Sequence, residues 1–335
     1  MISMEVMTSE GGRPMITPGD AQRRWRGVVV PLPTIFGEDG SLDLETTADH
    51  VRWILECGAH AGNTLFLAGG SGGDFPMLNL DERKQVISKI AEVTAGEVPI
   101  LIGVQSTDIR DTIELCQLGE DLGVDAAQIS GPYYYDGRWD DVVAWFQEVA
   151  RHTQVGFAVY NNWYTGYNMP LELIERLLEI PNSVAVKWGS PDIFAFYAGI
   201  RRFSRRVAVV DNSLWPVMPH MLGCRAFVSH VPNFYPEHAW RVWDLMERGL
   251  YLEAQQAHDA LMVPYLELVG RIQNVTAGEA VFVRAAMMAA GRPAGRSRLP
   301  SRDDAVTPEI RDGFRALLAE VAAMEFSPAV GVRPS

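Results

Sequence analysis

The chain has 335 residues, and 47% of them are apolar, which supports a large packed core and excludes global disorder. A formal net charge of −13 argues against nucleic acid or an anionic membrane surface as a partner, while leaving room for a local cationic site that takes a small anion. The three cysteines, Cys57, Cys116 and Cys224, lie far apart without C-x-x-C spacing, so neither a disulfide framework nor a zinc site is expected; no apolar run reaches the ~18 residues of a membrane span.

Residues 1–24 are polar and lack the apolar segment of a signal peptide, which reads as a flexible N-terminal tail on a cytoplasmic protein. From Arg26 onward short apolar runs alternate with amphipathic segments. The runs predict strands at 27–31, 64–68, 100–104, 126–130, 156–160, 184–187, 207–210 and 226–229. Between them helices are predicted at 44–56, 81–94, 109–122, 142–152, 170–178 and 191–203. Eight βα repeats over residues 25–236 fit a closed (β/α)₈ barrel of the TIM type, an α/β fold for which roughly 250 residues is usual. A doubly wound open sheet is the alternative, but it needs a glycine-rich phosphate turn after its first strand, and Pro31-Leu32-Pro33-Thr34 is not one. Beyond Pro236 only helices are predicted, at 238–248, 251–269, 277–290 and, after a basic Pro/Gly-rich linker, 308–324; residues 237–335 therefore read as a helical region packed on the barrel.

In such a barrel chemistry sits where the strands end. The run Val184-Ala185-Val186-Lys187 places one amine at the end of a buried strand. A buried ammonium is costly unless paired or deprotonated, so such a lysine tends toward a low pKa and toward imine chemistry on ketones. The plain alternative is a lysine that extends past the strand end to water. Gly131-Pro132-Tyr133-Tyr134-Tyr135, after the fourth strand, offers phenols for proton transfer or for rim packing. Gly69-Gly70-Ser71-Gly72-Gly73-Asp74, after the second, is either a backbone cradle for a carboxylate or an ordinary loop. His230, at the end of the eighth strand, has a pocket-facing or a structural role open to it; Asp211, after the seventh, lines the site or caps a helix, with the cap favoured. The histidines show no metal-ligand spacing.

Taken together, the glycine-rich turn with Leu78-Asn79-Leu80-Asp81-Glu82-Arg83, Pro132-Tyr133-Tyr134, Val159-Tyr160-Asn161, Val186-Lys187, and the stretch from Gly223 through Ser229 to Asn233 and Pro236 carry a resemblance. In order and spacing they resemble the dihydrodipicolinate synthase / N-acetylneuraminate lyase superfamily of class I, Schiff-base-forming aldolases and dehydratases, over nearly the whole chain from Arg26. The resemblance implies that Lys187 forms an imine with a 2-oxo acid such as pyruvate and that Tyr134, two residues after the proline, is the catalytic tyrosine. It also implies that Ser71 and Gly72 stand where a hydroxyl pair holds the substrate carboxylate, and that Val228 makes a backbone contact to the keto acid. No cofactor or metal is implied, since the imine is itself the electron sink, and a homo-oligomer, a dimer or tetramer, is expected.

The departures are specific. Gly72 replaces the second clamp hydroxyl, Asp74 replaces a glutamate, and the loop Asn162-Trp163-Tyr164-Thr165-Gly166-Tyr167 lacks the arginine with which dihydrodipicolinate synthases bind a second carboxylate. Trp163 and Tyr164 instead suit an uncharged, bulky or aromatic aldehyde, unless they only pack against a neighbouring subunit. The expected function is a lyase, either an aldolase or a hydratase-aldolase, joining or cleaving a 2-oxo acid and such an aldehyde. A 2-keto-3-deoxy sugar-acid dehydratase and a non-catalytic ligand-binding barrel are the alternatives.

Overall fold

A computed structural model describes residues 15–135, 137–164 and 166–325. Eight parallel strands close into a barrel in sequence order: β1 Gly27–Pro31, β2 Thr64–Ala68, β3 Ile100–Gly103, β4 Ala126–Ser130, β5 Phe157–Tyr160, β6 Ser183–Trp188, β7 Ala208–Asp211 and β8 Ala226–Val228. The predicted barrel is thus the observed one, with no strand end displaced by more than one residue. Helices α1 Pro18–Arg24, α2 Leu44–Glu56, α3 Leu80–Thr94, α4 Ile109–Asp121, α5 Trp139–Ala150, α6 Leu171–Leu177, α7 Ile193–Phe203 and α8 Val217–Leu222 accompany the strands. The C-terminal region adds α9 Pro236–Glu247, α10 Tyr251–Gln273, α11 Ala280–Ala289 and α12 Pro308–Glu325. No helix among the described residues is long and apolar enough to cross a membrane.

Strands buried on both faces must be apolar throughout, and alternate side chains serve different cores. Val29, Leu67, Leu101, Ala158, Ala185, Val210 and Val228 fill the barrel interior, whereas Val28, Val30, Phe66, Ile102, Val159, Val186 and Trp188 meet the surrounding helices. This alternation turns Lys187, two residues after Ala185, toward the barrel axis.

The expected flexible tail needs correction at residues 18–24, which form α1 under the barrel; residues 1–14 lie outside the described ones. Pro18 starts the helix, and Thr17 and Asp20 cap it reciprocally. Ala21 and Trp25 then join the interior cluster from below, and Arg24 pairs with Asp125 at 2.8 Å.

The C-terminal helices are tied to the mouth through the glycine-rich turn. Asp74, in the left-handed conformation at φ 59°, forms a fully buried ion pair with Arg284 of α11, and Arg284 also donates to the Thr34 carbonyl at 2.6 Å. From the basic linker Arg298 donates to both Glu82 carboxylate oxygens, at 2.7 and 2.9 Å, and to the Gly40 carbonyl at 2.7 Å. Glu82 is at the same time the reciprocal cap partner of Asn79 at the start of α3. Burial raises the Asp74 pKa, with the charge of Asp303 adding a little, and the Arg284 guanidinium opposes that rise.

Removing one partner of a buried pair strands the other without a counter-ion. Arg284→Met should therefore cost about 3–5 kcal/mol in denaturant unfolding, and Asp74→Asn added to it should recover part of the loss.

Candidate active site

The C-terminal ends of the strands open into a cavity of ≈ 510 Å³ that runs from the barrel axis to α7, α8 and α10. Lys187 lies at its floor, 6% exposed, with Nζ 4.2 Å from the centre of the Tyr160 ring. The two residues are register partners on β5 and β6 and share the inward phase. Burial lowers the Lys187 pKa to about 8, and the negative charge of Glu279 opposes that shift. Of the residues lining the cavity, Lys187 and Glu279 are the two with a formal charge; there is no arginine.

The Tyr160 hydroxyl meets that of Tyr164 at 2.6 Å, and Asn212 donates to Tyr164 at 3.4 Å. Burial raises both phenol pKa values, with the Tyr164 hydroxyl and the Glu279 carboxylate adding to the effect at Tyr160, so the phenol keeps its proton at neutral pH. Asn161 shapes the loop that brings Tyr164 there: its amide donates to the Gly189 carbonyl at 2.8 Å and to Asn168 at 2.9 Å, and its oxygen accepts from the Met169 amide at 2.8 Å. Trp163 packs edge-on against Tyr164 at 5.4 Å, and both line the cavity. Thr165 of this loop lies outside the described residues.

Ser71 and Gly72 open a 3-10 turn at the cavity wall, where the first N–H groups of a helical turn have no partner within it. A Cβ at Gly72 would stand 2.8 Å from both Pro31 Cβ and His230 Cε1, so the ring of His230 fills the space of a side chain at 72. Val228 lines the floor beside His230. The His230 pKa is lowered to about 4 by burial and then by Lys187, leaving the imidazole neutral.

The structure does not bring Tyr134 to Lys187. Its side chain is 77% exposed, packed edge-on against Tyr135 at 4.9 Å, and absent from the lining of the Lys187 cavity. After Ser130 the chain leaves the strand and bends through Tyr133, Tyr134 and Tyr135, all three of which are exposed, so the alternation of the strand no longer aims these side chains. Tyr133 lines an adjoining cavity of ≈ 450 Å³ with Ser71, Tyr164 and Glu279. Asp211 also departs from expectation: it accepts from the Ser213 amide at 3.0 Å in a turn, and α8 begins only at Val217. Tyr160 was visible in the sequence as a strand-end residue in phase with an inward alanine. Glu279 gave no local signal, since it enters from the start of α11.

The fold and site define a (β/α)₈ barrel whose mouth gathers an uncommon buried amine, a phenol pair and a carboxylate in one largely apolar cavity. The chain belongs to the dihydrodipicolinate synthetase family, whose model matches residues 24–320. It is 30% identical over 274 residues to a protein named an uncharacterized DapA-like lyase from Pyrococcus abyssi, covering 80% of this chain and 88% of that protein. It is also 30% identical over 294 residues to one named a probable 5-dehydro-4-deoxyglucarate dehydratase from Azotobacter vinelandii, covering 86% and 93%. The crystal structure of dihydrodipicolinate synthase from Thermotoga maritima superposes with a TM-score of 0.76 at 24% identity, covering 89% of this chain and 99% of that one, which shows the shared fold.

A lysine whose folded pKa lies below its unfolded value destabilises the fold where it must carry a proton. Relative to pH above ~10.5 that cost grows as pH falls from the unfolded value toward about 8, reaching ~3 kcal/mol at pH 7. Lys187→Met should accordingly raise the melting temperature at pH 7 and lose that advantage by pH 10.5.

Proposed function

We propose that the protein is a class I lyase in which Lys187 forms an imine with pyruvate or a related 2-oxo acid, and that it makes or breaks a C–C bond to an uncharged, bulky aldehyde. The observation that carries this reading is a low-pKa amine against a neutral phenol at the floor of a cavity with no second cation. Around pH 8 a large fraction of Lys187 is unprotonated and attacks the keto carbon. Tyr160, rather than Tyr134, donates a proton as the carbinolamine hydroxyl leaves as water, and Tyr164 supplies the hydrogen bond that holds the phenol in place. The Ser71 hydroxyl and the first N–H groups of its turn hold the acid's carboxylate, with Val228 beneath it. The acceptor then lies outward, against Trp163, Tyr164, Phe196 and Trp215.

The dehydratase reading draws on the Azotobacter relative's name. A second substrate carboxylate would lie in a cavity whose free charge is the acidic Glu279, which weighs against a sugar diacid. Tyr134 and Tyr135 are exposed in the single chain, so if the homo-oligomer that the family resemblance implies buries them, any part Tyr134 plays depends on a second chain.

Borohydride added to protein and pyruvate should leave one reduced pyruvyl group, located at Lys187 by peptide mass spectrometry. Label elsewhere, or none with any 2-oxo acid, would remove the mechanism.

Tyr160→Phe should lower kcat by roughly 10²–10⁴ while changing keto-acid binding little. In a panel of aldehydes with pyruvate, Trp163→Ala should cost aromatic acceptors about tenfold more than small anionic ones, in line with a stacking contribution of about 0.5–1.5 kcal/mol. Equal losses would mean that the loop is structural.

A further inference from the structure

The cavity is longer than the chemistry at its floor requires. At its inner end the ring of Tyr265 on α10 meets Phe282 edge-on at 6.4 Å, and Phe282 meets His230, which lines the floor together with Lys187. From Tyr265 the lining follows α10 outward through Met262 to Gln255, a further ten residues of helix or ~15 Å. A single ring joined to C3 of the keto acid stops well short of Gln255. The rest of this outer part is walled by Phe196, Leu214, Trp215 and Met218, from α7, α8 and the loop before α8. Trp215 meets the His258 ring of α10 edge-on at 5.2 Å, which joins that wall to the helix. Leu214 is held at φ 69°, in the left-handed region that disfavours a residue with a side chain, and it too lines the cavity. Backbone strain of this kind persists where the surroundings enforce it and gathers at ligand sites. No charged residue lines this outer part, and the amide nitrogen of Gln255 is already bound to Asp259 at 2.7 Å.

We propose that the acceptor aldehyde carries an extended apolar tail, of two linked rings or a chain of comparable length, and that this tail lies along α10 against Met262, Leu266, Trp215 and Met218. The proposal deepens the reading of the protein as an imine-forming lyase and rests on it: the aldehyde carbon meets C3 of the keto acid at Lys187, and the tail extends from there toward Gln255. The physical case is one of area. Apolar wall left against water or void costs free energy in proportion to its extent, and a tail that covers the wall recovers it. A small aldehyde would leave the outer part to water beside residues that offer it few hydrogen bonds. Met262 and Met218 adapt to an irregular outline, while Trp215 and Phe196 offer flat faces. A tail ending in a carboxylate is disfavoured, since it would lose its hydration without gaining a cation among the lining residues.

Unreactive alcohols report on the tail apart from the imine. Tryptophan fluorescence, with Trp163 and Trp215 in the cavity wall, follows titration of the full chain with benzyl alcohol, para-phenylbenzyl alcohol and octanol. The native protein should bind the better of the two long alcohols at least ~10-fold more tightly than benzyl alcohol, and which of the two it is tells rings from a chain. With pyruvate, the corresponding long aldehyde should exceed benzaldehyde in kcat/KM by a similar factor. Leu266→Trp and Met218→Trp fill the outer part, and in each the ratio of long to short, read within that protein, should fall to near parity. Parity in the native protein would overturn the tail, and so would a ratio retained in both variants, which would mark plain stickiness of the longer probes. If one variant fails to fold, as judged by its thermal melt, the other decides; Met218 is 48% exposed, so a larger ring there leaves the core undisturbed. The borohydride adduct of the native protein separates the two readings. An adduct at Lys187 without a preference for the long probes overturns the tail alone, whereas a preference without any adduct overturns the lyase reading and, with it, the acceptor role of whatever binds along α10.

Discussion

The buried pair between Asp74 and Arg284 is the joint on which the site depends. It fastens the glycine-rich turn after β2 to α11, two parts of the chain more than two hundred residues apart, in a place from which water is excluded. An isolated charge there would cost several kcal/mol, so the pair specifies geometry more than it adds net stability. Its consequence is positional. The turn that presents Ser71 and Gly72 and the helix start that presents Glu279 cannot drift relative to each other without separating the two charges. The wall and the roof of the cavity are thereby held as one body, although they come from the barrel and from the C-terminal region respectively.

Within that frame the site works by withholding water. Burial moves Lys187 toward its neutral form and keeps Tyr160 and His230 uncharged, and Glu279 is the one carboxylate among the cavity-lining residues. Each of these groups is therefore set in a protonation state suited to passing protons at neutral pH. The apolar reach of the cavity under α10 extends the same low-dielectric environment outward, where a planar or bulky partner loses little on desolvation.

Much of the fold was legible because strands buried on both faces leave β-branched, apolar runs between glycine, proline and asparagine. The N-terminal helix was not, because its seven residues are mostly polar and stabilised by a cap; only Thr17-Pro18-Gly19-Asp20 betrays it. Lys187 could be read from its own strand. The tyrosine beside it could be read only by counting phase: Tyr160 comes two residues after the inward Ala158, whereas Tyr134 comes four after the end of its strand, beyond the reach of that alternation. Contacts such as His230 with Glu279 join β8 to α11 through tertiary packing, and no local pattern encodes them.

The space shared by Gly72 and His230 has a bearing on how this lineage can change. A side chain larger than hydrogen at 72 meets both the imidazole and Pro31, so a second hydroxyl on the turn and a ring at 230 are mutually exclusive occupants of one volume. An exchange from one arrangement to the other passes through an intermediate that is either overfilled or hollow, and substitutions at the two sites should be epistatic. Laboratory evolution that samples 72 alone would discard every hydroxyl it meets. Libraries that vary 72 and 230 together would open the route between the two kinds of site.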